Sequence, residues 1–380
     1  MSGAAPRFRA ALAADGAWSA LAKSCLDRLE PLPEGANLGF LYVTDALADD
    51  LGSILTFLRE RTRIADWVGA VGLGICALGG AEPAEVFERP ALAVLIAAFP
   101  ADTFLVFPPV TGELDQFEAE TKAWRHRQKP VLGIVHGDPR HAGTMRAVTD
   151  LGRRAGLFLV GGLSAARAAP LQVAGRVVEG GLSGVMLSSE ISVATGLSQG
   201  CAPIGPVRRV TAAQGNVVMT IDGEPALDIF KASIGELLSR DLRRAAGLVF
   251  AGFPVAGSDT GDYLVRHLVG IDPEHGWLAF AQDVAPGDPL FFCRRDPASA
   301  VADLDRMVAG IKSRAAGSAP RAGLYFSCVA RGPNLFSRPA EELGIIRAAF
   351  GDFPLVGFFG NGEISNDRLY GYTGVLALFL

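Results

Sequence analysis

The sequence predicts an α+β, or mixed α/β, protein made of two similar halves, each a mixed β-sheet with packed helices. The chain has 380 residues, of which 49% are hydrophobic, so it can bury a large core and form two ordinary domains. Strand and helix patterns alternate along each half and then give way to clusters of strands, as in layered α+β domains. Because the order of these elements is similar in both halves, the sequence also predicts an internal duplication.

The first half begins with an apolar pattern at helical spacing, which predicts a docking helix within residues 1–34. The apolar face of this helix comprises Phe8, Leu12, Trp18, Leu21 and Leu29. A domain over residues 35–205 follows. Its predicted strands are 38–43, 66–75, 91–99, 103–107, 131–136, 157–160, 183–189 and 191–196, and its predicted helices are 46–61, 113–127 and 140–154.

The second half, residues 206–380, repeats this order. Pro225 suits the first turn of a helix that runs to about residue 239. The duplication would make the turns His136–Asp138 and Cys328–Arg331 equivalent, and Gly161–Gly162 the counterpart of Gly360–Gly362. The predicted strands are 217–221, 247–253, 263–270, 277–283, 290–293, 323–328, 354–359 and 373–380, and the other helices are 297–315 and 338–350.

Composition excludes several classes of protein. The net charge is −5 and the arginines are scattered, so the sequence carries no basic stripe of the kind that nucleic acid requires. The longest apolar run, Ala91–Phe99, is about half the roughly 20 residues of a membrane-spanning helix. Charges interrupt the N-terminal segment, which argues against a signal peptide and predicts a cytoplasmic protein. Five well-separated cysteines without a Cys-x-x-Cys pair predict reduced thiols and no zinc site.

Sequence motifs of the common enzyme classes are absent. The chain has no Gly-x-Ser-x-Gly elbow, no phosphate loop with Gly-Lys-Ser/Thr, no His-Glu-x-x-His and no Gly-x-Gly-x-x-Gly between a strand and a helix. We therefore expect no catalytic residues and no enzymatic activity.

The stretch Pro354–Gly374 carries the most information. An apolar strand runs into glycine, turns at Asn361-Gly362 and presents the acid Glu363 where the backbone leaves the sheet. The glycines permit close approach of another molecule, so this is either a ligand-contacting turn or a structural turn.

This stretch resembles the closing segment of the FIST C domain. The resemblance rests on the string Gly-Phe-Phe-Gly-Asn-Gly-Glu-Ile, on Ser327–Phe336 before it and on Leu-Tyr-Gly-Tyr-Thr-Gly after it. Further landmarks are Gly200–Pro206, Asp222–Leu227 and Tyr263–Arg266, and residues 35–200 are similar to the FIST N domain. The resemblance implies a sensory domain of intracellular signal transduction that binds small molecules such as amino acids. It also implies a signalling partner, such as a histidine kinase or a cyclic-nucleotide signalling enzyme, and no established catalytic residues.

Two charged residues beside these turns suit a zwitterionic ligand. Arg331, which we expect on an exposed turn, can hold a carboxylate by two parallel hydrogen bonds, whereas Glu363 suits an ammonium group. Alternatively, Arg331 pairs with Glu341 or Glu342, or with Glu363 itself. If Arg331 is exposed, its removal should leave the fold intact.

The remaining candidates complete the predicted ligand site. A thiol beside an arginine can have a lowered pKa, although most cysteines at strand ends, like Cys328, are inert packing residues. An imidazole at His136 can line the site or bind a metal or haem iron. The predicted site comprises Cys328, Arg331, Asn334, Gly360, Asn361, Gly362, Glu363, Tyr370 and Tyr372, with His136 and Asp138. The sequence thus predicts a cytoplasmic sensor of a small polar ligand, with a haem-based gas sensor and a ligand-free adaptor as alternatives.

Overall fold

The computed structural model describes residues 7–80, 82–258 and 261–380, which form two compact units. The first unit extends to Ser198 and resumes over Leu304–Leu369 and Thr373–Leu380. The second consists of Gln199–Asp303 and Tyr370–Tyr372. This division differs from the sequence-based boundary at residue 205, because the first unit contains segments from both halves of the chain.

Two successive segments of the first unit have the same order of elements: strand, helix, strand, helix, strand, hairpin, strand. The first contains β1 (Arg7–Ala14), α1 (Trp18–Leu29), β2 (Leu38–Thr44), α2 (Leu51–Thr62), β3 (Asp66–Gly72), β4 (Gly74–Leu78), β5 (Ala84–Phe87) and β6 (Ala91–Ala98). The second contains β7 (Phe104–Val110), α3 (Asp115–Gln128), β8 (Leu132–Gly137), α4 (Thr144–Arg153), β9 (Phe158–Leu163), β10 (Gln172–Ala174), β11 (Val177–Val178) and β12 (Leu182–Leu187).

A third segment repeats the order but is interrupted after its first strand, β13 (Val193–Ser198). The interruption contains β14 (Cys201–Pro203), β15 (Arg208–Gln214), β16 (Val217–Ile221), β17 (Glu224–Pro225), α5 (Ala226–Ser239), α6 (Leu242–Leu248), β18 (Val249–Pro254), β19 (Tyr263–Asp272), β20 (Trp277–Phe280) and β21 (Pro289–Arg295). The segment then continues with α7 (Pro297–Arg314), β22 (Ala322–Cys328), α8 (Glu341–Phe350), β23 (Leu355–Gly360), β24 (Glu363–Ser365), β25 (Arg368–Tyr370) and β26 (Gly374–Phe379).

The three segments build three six-stranded sheets by exchanging hairpins. Their strand orders are β1-β6-β2-β3-β10-β11, β7-β12-β8-β9-β24-β25 and β13-β26-β22-β23-β4-β5. In each sheet the two central strands are parallel and their other neighbours are antiparallel. The hairpin at one end comes from a different segment. The predicted α+β class is confirmed, and among the described residues the repeated unit is present three times, beyond the two halves expected.

A glycine in each parallel pair shows that the three sheets share one register. A Cβ atom at these glycines would lie 1.8, 1.8 and 1.7 Å from a carbonyl oxygen of the neighbouring strand. The pairs are Gly69 with Leu41, Gly161 with Val135, and Gly357 with Tyr325. The prediction that Gly360 is the counterpart of Gly161 is therefore wrong. Gly357 occupies the position in its sheet that Gly161 occupies in its own.

The N-terminal helix prediction needs correction. Residues 1–6 lie outside the described residues, and Arg7–Ala14 is strand β1, so the helix begins only at Trp18. Strand β1 pairs with β6 along its whole length, from Arg7 opposite Ala98 to Ala14 opposite Ala91. This backbone pairing overrides the helical spacing of the apolar residues. Elsewhere, the start of the strand predicted at 247–253 is the end of helix α6.

Aromatic rings from the three sheets of the first unit pack against one another. The rings belong to Tyr42 of β2, His136 of β8 and Phe326 of β22. Each of these residues comes directly after the strand residue that lies opposite one of the three glycines. Their ring centroids are 5.5 to 6.3 Å apart, and Phe358 stacks on Tyr42 at 5.2 Å. The opposite face of each sheet is covered by helices.

The second unit is built on an eight-stranded sheet. Seven of its strands have the order β14-β21-β15-β16-β20-β19-β18, and the eighth, β17, pairs with β16. An additional pairing of β21 with β18 closes most of these strands into a ring, which removes their free edges. Helices α5 and α6 contribute to its apolar core. Among the residues that the structure describes, no helix is both long enough and apolar enough to cross a membrane.

Candidate functional site

The centre of the predicted site is a buried ion pair. Arg331 follows β22, and Glu342 lies in the first turn of α8. The Nε and Nη2 atoms of Arg331 each lie 2.8 Å from Glu342 Oε1, and both side chains are completely buried. Although burial alone lowers the pKa of Arg331, the Glu342 carboxylate raises it above its ordinary value. The expectation of an exposed turn arginine is therefore wrong, because α8 brings an acid over the turn.

Hydrogen bonds from neighbouring groups complete the coordination of the Glu342 carboxylate. The hydroxyl of Tyr325 donates to Oε1 at 2.5 Å, and the hydroxyl of Ser327 and the amide of Gly332 donate to Oε2 at 3.2 and 3.1 Å. Arg331 Nη2 also donates to Ser198 Oγ at 3.4 Å. A buried ion pair is tolerated only when such additional bonds satisfy its remaining atoms, so this network is built as a unit.

Glu363, at the start of β24, is a second buried acid. Its Oε2 atom accepts from the backbone amide and hydroxyl of Thr373, at 3.2 and 2.7 Å. Its Oε1 atom has no hydrogen-bond partner in the part of the chain that the structure describes, although the side chain is only 1% exposed. Burial raises the pKa of Glu363 to about 8, even though the bonds from Thr373 and the charge of Arg331 act to lower it. Glu363 is therefore largely protonated at neutral pH.

A third acid, Glu85 of β5, lies within electrostatic range of the same pair. Its Oε1 atom likewise has no partner among the described residues. Burial, and then the charge of Glu342, raise the pKa of Glu85 to about 8. Cys76 lies opposite Glu85 in the β4–β5 hairpin. Burial, and then the charges of Glu85 and Glu342, raise the pKa of the Cys76 thiol. The hairpin, which comes from the first segment, thus brings a second unpartnered carboxylate oxygen to the third sheet.

The glycine turn after β23 is where the chain crosses from one sheet to another. The amide of Asn361 donates to the Leu163 carbonyl at 3.0 Å, and the Leu163 amide donates to the Gly362 carbonyl at 2.8 Å. A Cβ atom at Gly360 would lie 2.5 Å from the Leu163 oxygen, so glycine is required for this close approach. The structural interpretation of the turn is therefore supported by its contacts with β9.

The two turns of the predicted site lie side by side. Cys328 is opposite Gly360 in the parallel pair and is buried, and the Val329 amide donates to the Gly360 carbonyl at 2.9 Å. The Asn334 side chain donates to the Val329 carbonyl at 2.8 Å and thereby holds the first turn. The exposed side chain of Asn361 is the most accessible of these groups.

His136 is packed too tightly to receive a haem iron. Its Nε2 atom shares a hydrogen bond with the Tyr42 hydroxyl at 3.1 Å, and burial lowers the pKa of the imidazole to about 3 and leaves it neutral. The rings of Phe326 and Phe358 lie 6.1 and 6.0 Å away, and the imidazole has no exposed surface. An iron ligand needs an open position and space for the porphyrin, so the arrangement around His136 does not fit this group.

The other candidates have different surroundings. Asp138 accepts from the Arg140 amide at 2.7 Å, and its carbonyl accepts from the Thr144 hydroxyl, so it shapes the turn before α4. Tyr370 and Tyr372 belong to the second unit, where the Tyr372 hydroxyl lies 2.7 Å from His267 Nε2.

Sequence reasoning missed Glu85 and Thr373 as members of the site. No local pattern marks either residue, because a hairpin and a strand distant in sequence carry them. Glu342 was considered only as one possible partner of a surface arginine.

Three mixed sheets with exchanged hairpins, an inserted ring of strands and a buried polar cluster define an α+β protein of two compact units. Comparison with protein families then identifies it: the FIST N domain matches residues 37–224 and the FIST C domain matches residues 226–366. The chain belongs to the FIST family. FIST domains are generally sensory domains of signal transduction.

The chain is also similar to mycobacterial proteins. It is 35% identical over 215 residues to Uncharacterized protein Rv0628c of Mycobacterium tuberculosis, covering 54% of this chain and 55% of that protein. It is 34% identical over 220 residues to Uncharacterized protein Mb0898c of Mycobacterium bovis, covering 54% of each. The alignments span about half the length of these relatives.

Proposed function

We propose that this protein is a sensor that binds a small polar ligand bearing an amine, such as an amino acid, at the carboxylate of Glu363. The observation that carries the proposal is the Oε1 atom of Glu363, which is buried without a hydrogen-bond partner among the described residues. Buried polar atoms are nearly always paired, and an exception calls for an explanation. The membership of the FIST family supports a sensory role, and we assign the chain binding rather than catalysis.

An ammonium group is the ligand chemistry that suits this oxygen. The pKa of Glu363, raised to about 8 by burial, means that the carboxyl group retains a proton at neutral pH when no cation is near. An ammonium ion placed at Oε1 would replace that proton with a charge-assisted hydrogen bond and would favour the ionised carboxylate. Binding of the amine is thus expected to release a proton from the protein.

The role of Arg331 in this proposal differs from the sequence-based one. Its guanidinium is held by Glu342, so we do not assign to it the carboxylate of the ligand. Its positive charge instead opposes the burial effect at Glu363 and limits the rise of that pKa. The Arg331–Glu342 pair therefore influences the pKa of Glu363, the acid that contacts the ligand, without contacting the ligand itself.

Ligand entry would require a change of conformation, because Glu363 is 1% exposed. A ligand that binds only the opened state shifts the population towards that state. We propose that a separate signalling protein, such as a histidine kinase or a cyclic-nucleotide signalling enzyme, recognises the difference. The family supports a signalling partner in general, and its identity is part of the proposal.

A thermal-shift screen of the whole chain with amino acids and simple amines tests the proposal. A ligand present at 100 times its Kd should stabilise the protein by about 2.7 kcal/mol. Glu363→Gln should abolish this stabilisation while preserving the fold. Glu113→Gln, which changes an exposed acid of the same unit, should retain it. Tight binding by folded Glu363→Gln would place the site elsewhere, and the absence of any response to amines would reject the ligand class.

Two further measurements distinguish the alternatives. A Soret band after addition of haem would favour the gas sensor and contradict the poor fit at His136. Capture of a signalling partner with the same affinity in the presence and absence of every amine would favour the ligand-free adaptor.

A further inference from the structure

Three sequence motifs converge in the second unit, at a place that the proposed ligand site does not use. Cys201 comes from the segment Gly200–Pro206, Tyr263 begins the Tyr-Leu-Val-Arg motif, and Tyr372 belongs to the Tyr-Gly-Tyr motif. All three belong to one apolar cluster. The Tyr263 hydroxyl donates to the Cys201 carbonyl, and the Tyr372 ring lies 4.8 Å from that of Phe250.

This cluster contains two cysteines on adjacent strands. Cys201 lies on β14 opposite Arg295, and Cys293 lies on β21 opposite Pro203, so the two cysteines are diagonal neighbours in an antiparallel pair. They belong to the same cluster and are 4% and 0% exposed. Because side chains two residues apart in register lie on the same face of a strand pair, both thiols face the same apolar cluster. The structure therefore contains two buried thiols on neighbouring strands, on the same face of the sheet.

We propose that Cys201 and Cys293 form a reversible disulfide when the protein meets a low-molecular-weight disulfide, which makes this pair a site of oxidative modification. The proposal is independent of the amine ligand, because both cysteines lie in the second unit and Glu363 lies in the first. It would give a sensory protein a second input, the redox state of the thiol pool.

The chemistry proceeds by two thiol–disulfide exchanges. The Cys201 thiolate attacks one sulfur of the small disulfide, whose S–S bond breaks and releases one thiolate. Cys293 then attacks the Cys201 sulfur of the mixed disulfide, forming the protein S–S bond and releasing the second thiolate. The two cysteine protons pass to the two leaving thiolates. Both cysteines are oxidised, and the small disulfide is reduced to two thiols.

The difference in exposure between the two cysteines assigns the order of attack. Cys201 retains some exposed surface, whereas Cys293 has none, so the reagent reaches Cys201 first. The neighbouring Cys201 and burial raise the pKa of the Cys293 thiol, so Cys293 keeps its proton until the second exchange. Redox-sensitive cysteines are likewise often placed next to a resolving cysteine.

The fold allows the small movement that closure requires. A disulfide needs Cα atoms within about 7 Å, whereas diagonal neighbours are usually about 7–8 Å apart, so closure requires the strands to move by about 1 Å. Strand β14 has three residues and lies at the end of the sheet order, so it can shift along β21 with little loss of pairing. Such a shift would move the Cys201 carbonyl, which accepts the Tyr263 hydroxyl.

Equilibration of the intact chain with oxidised and reduced glutathione tests this proposal. Two of the five thiols should be lost as the ratio becomes oxidising, with peptide mapping locating the bond between Cys201 and Cys293. Cys293→Ser should lose this reaction and accumulate at most glutathione bound at Cys201. Cys25→Ser, which removes a buried thiol of a different cluster, should still form the bond. Circular dichroism checks that each variant is folded.

Several results would overturn the proposal. The folded chain could retain all five thiols at every ratio while the urea-unfolded chain is oxidised. Mapping could instead find a bond to another cysteine, or folded Cys293→Ser could lose two thiols as the parent does. Loss of amine binding with an intact disulfide response, or the reverse, would separate failure of this proposal from failure of the proposed function.

Discussion

The guanidinium of Arg331 and the carboxylate of Glu342 lie 2.8 Å apart, and neither side chain reaches solvent. An arginine in the turn after a strand is ordinarily exposed, and here the first turn of α8 covers it with an acid. The pair is joined to Tyr325, Ser327 and the Gly332 amide, so it holds the turn, the strand and the helix together.

Removal of one partner should destabilise the protein strongly. Arg331→Ala leaves Glu342 buried without its counterion, for which we expect a loss of about 3–5 kcal/mol in the free energy of unfolding. The exposed Arg338, which pairs with Glu341 at 2.6 Å, is the matched control. Arg338→Ala should cost less than about 1 kcal/mol. Urea unfolding measures both.

A double variant tests the cause of that loss. Arg331→Met combined with Glu342→Leu removes both charges and should recover much of the stability. Equal losses for Arg331→Ala and Arg338→Ala would show that the buried pair does not stabilise the fold as we describe.

The pH dependence of stability should reveal the buried acids. The folded chain retains the Glu363 proton up to about pH 8, whereas an unfolded glutamate loses it near pH 4.5. The folded state therefore binds more protons in this window, and the free energy of unfolding should fall as pH rises, by up to about 1.4 kcal/mol per pH unit. Glu363→Gln should reduce this slope.

Glu85 should contribute in the same direction, since its pKa is also raised to about 8. Glu85→Gln should reduce the slope further when it is combined with Glu363→Gln. Urea unfolding at intervals from pH 5 to 8 gives these slopes. A parent protein whose stability is constant or rises over this range, with variants that follow the same curve, would contradict the assignment.

The repeated glycines should be intolerant of any side chain. A Cβ atom at Gly357 would lie 1.7 Å from the Tyr325 carbonyl oxygen, and backbone in the middle of a sheet cannot move away. We expect Gly357→Ala to abolish native folding, as judged by thermal unfolding and solubility. Gly344 in α8 has nothing within 4 Å of such an atom. Gly344→Ala should therefore be neutral or stabilising, by up to about 1 kcal/mol.

The imidazole of His136 should remain neutral across the physiological range. Its pKa is lowered to about 3 by burial, so its NMR resonances should not shift between pH 5 and 8. Since an unfolded histidine takes up a proton near pH 6.5, this group alone makes stability fall as pH drops below that value. Tyr42→Phe removes the hydroxyl that shares a hydrogen bond with Nε2 and should cost about 1–3 kcal/mol. Titration of His136 near pH 6.5 in the folded chain would refute its burial.

Local sequence determined much of this protein. Alternating and helical apolar patterns placed most strands and helices, because side-chain periodicity follows the backbone geometry of each element. The glycine-rich string around Gly360 marked the family and located two turns that do lie side by side. Glu363 stood out as an acid where a strand leaves the sheet. These features depend on neighbours along the chain.

Tertiary structure decided the rest, since it depends on partners distant in sequence. Arg7–Ala14 is a strand because β6 pairs with it, in spite of its helical spacing. Arg331 is buried because α8 places Glu342 over it, and Tyr372 belongs to a different unit from Glu363, nine residues earlier in the printed sequence. The exchange of hairpins between sheets brings Glu85 towards Glu342. No local pattern encodes such pairings, because their free energy comes from surfaces that meet only when the whole chain has folded.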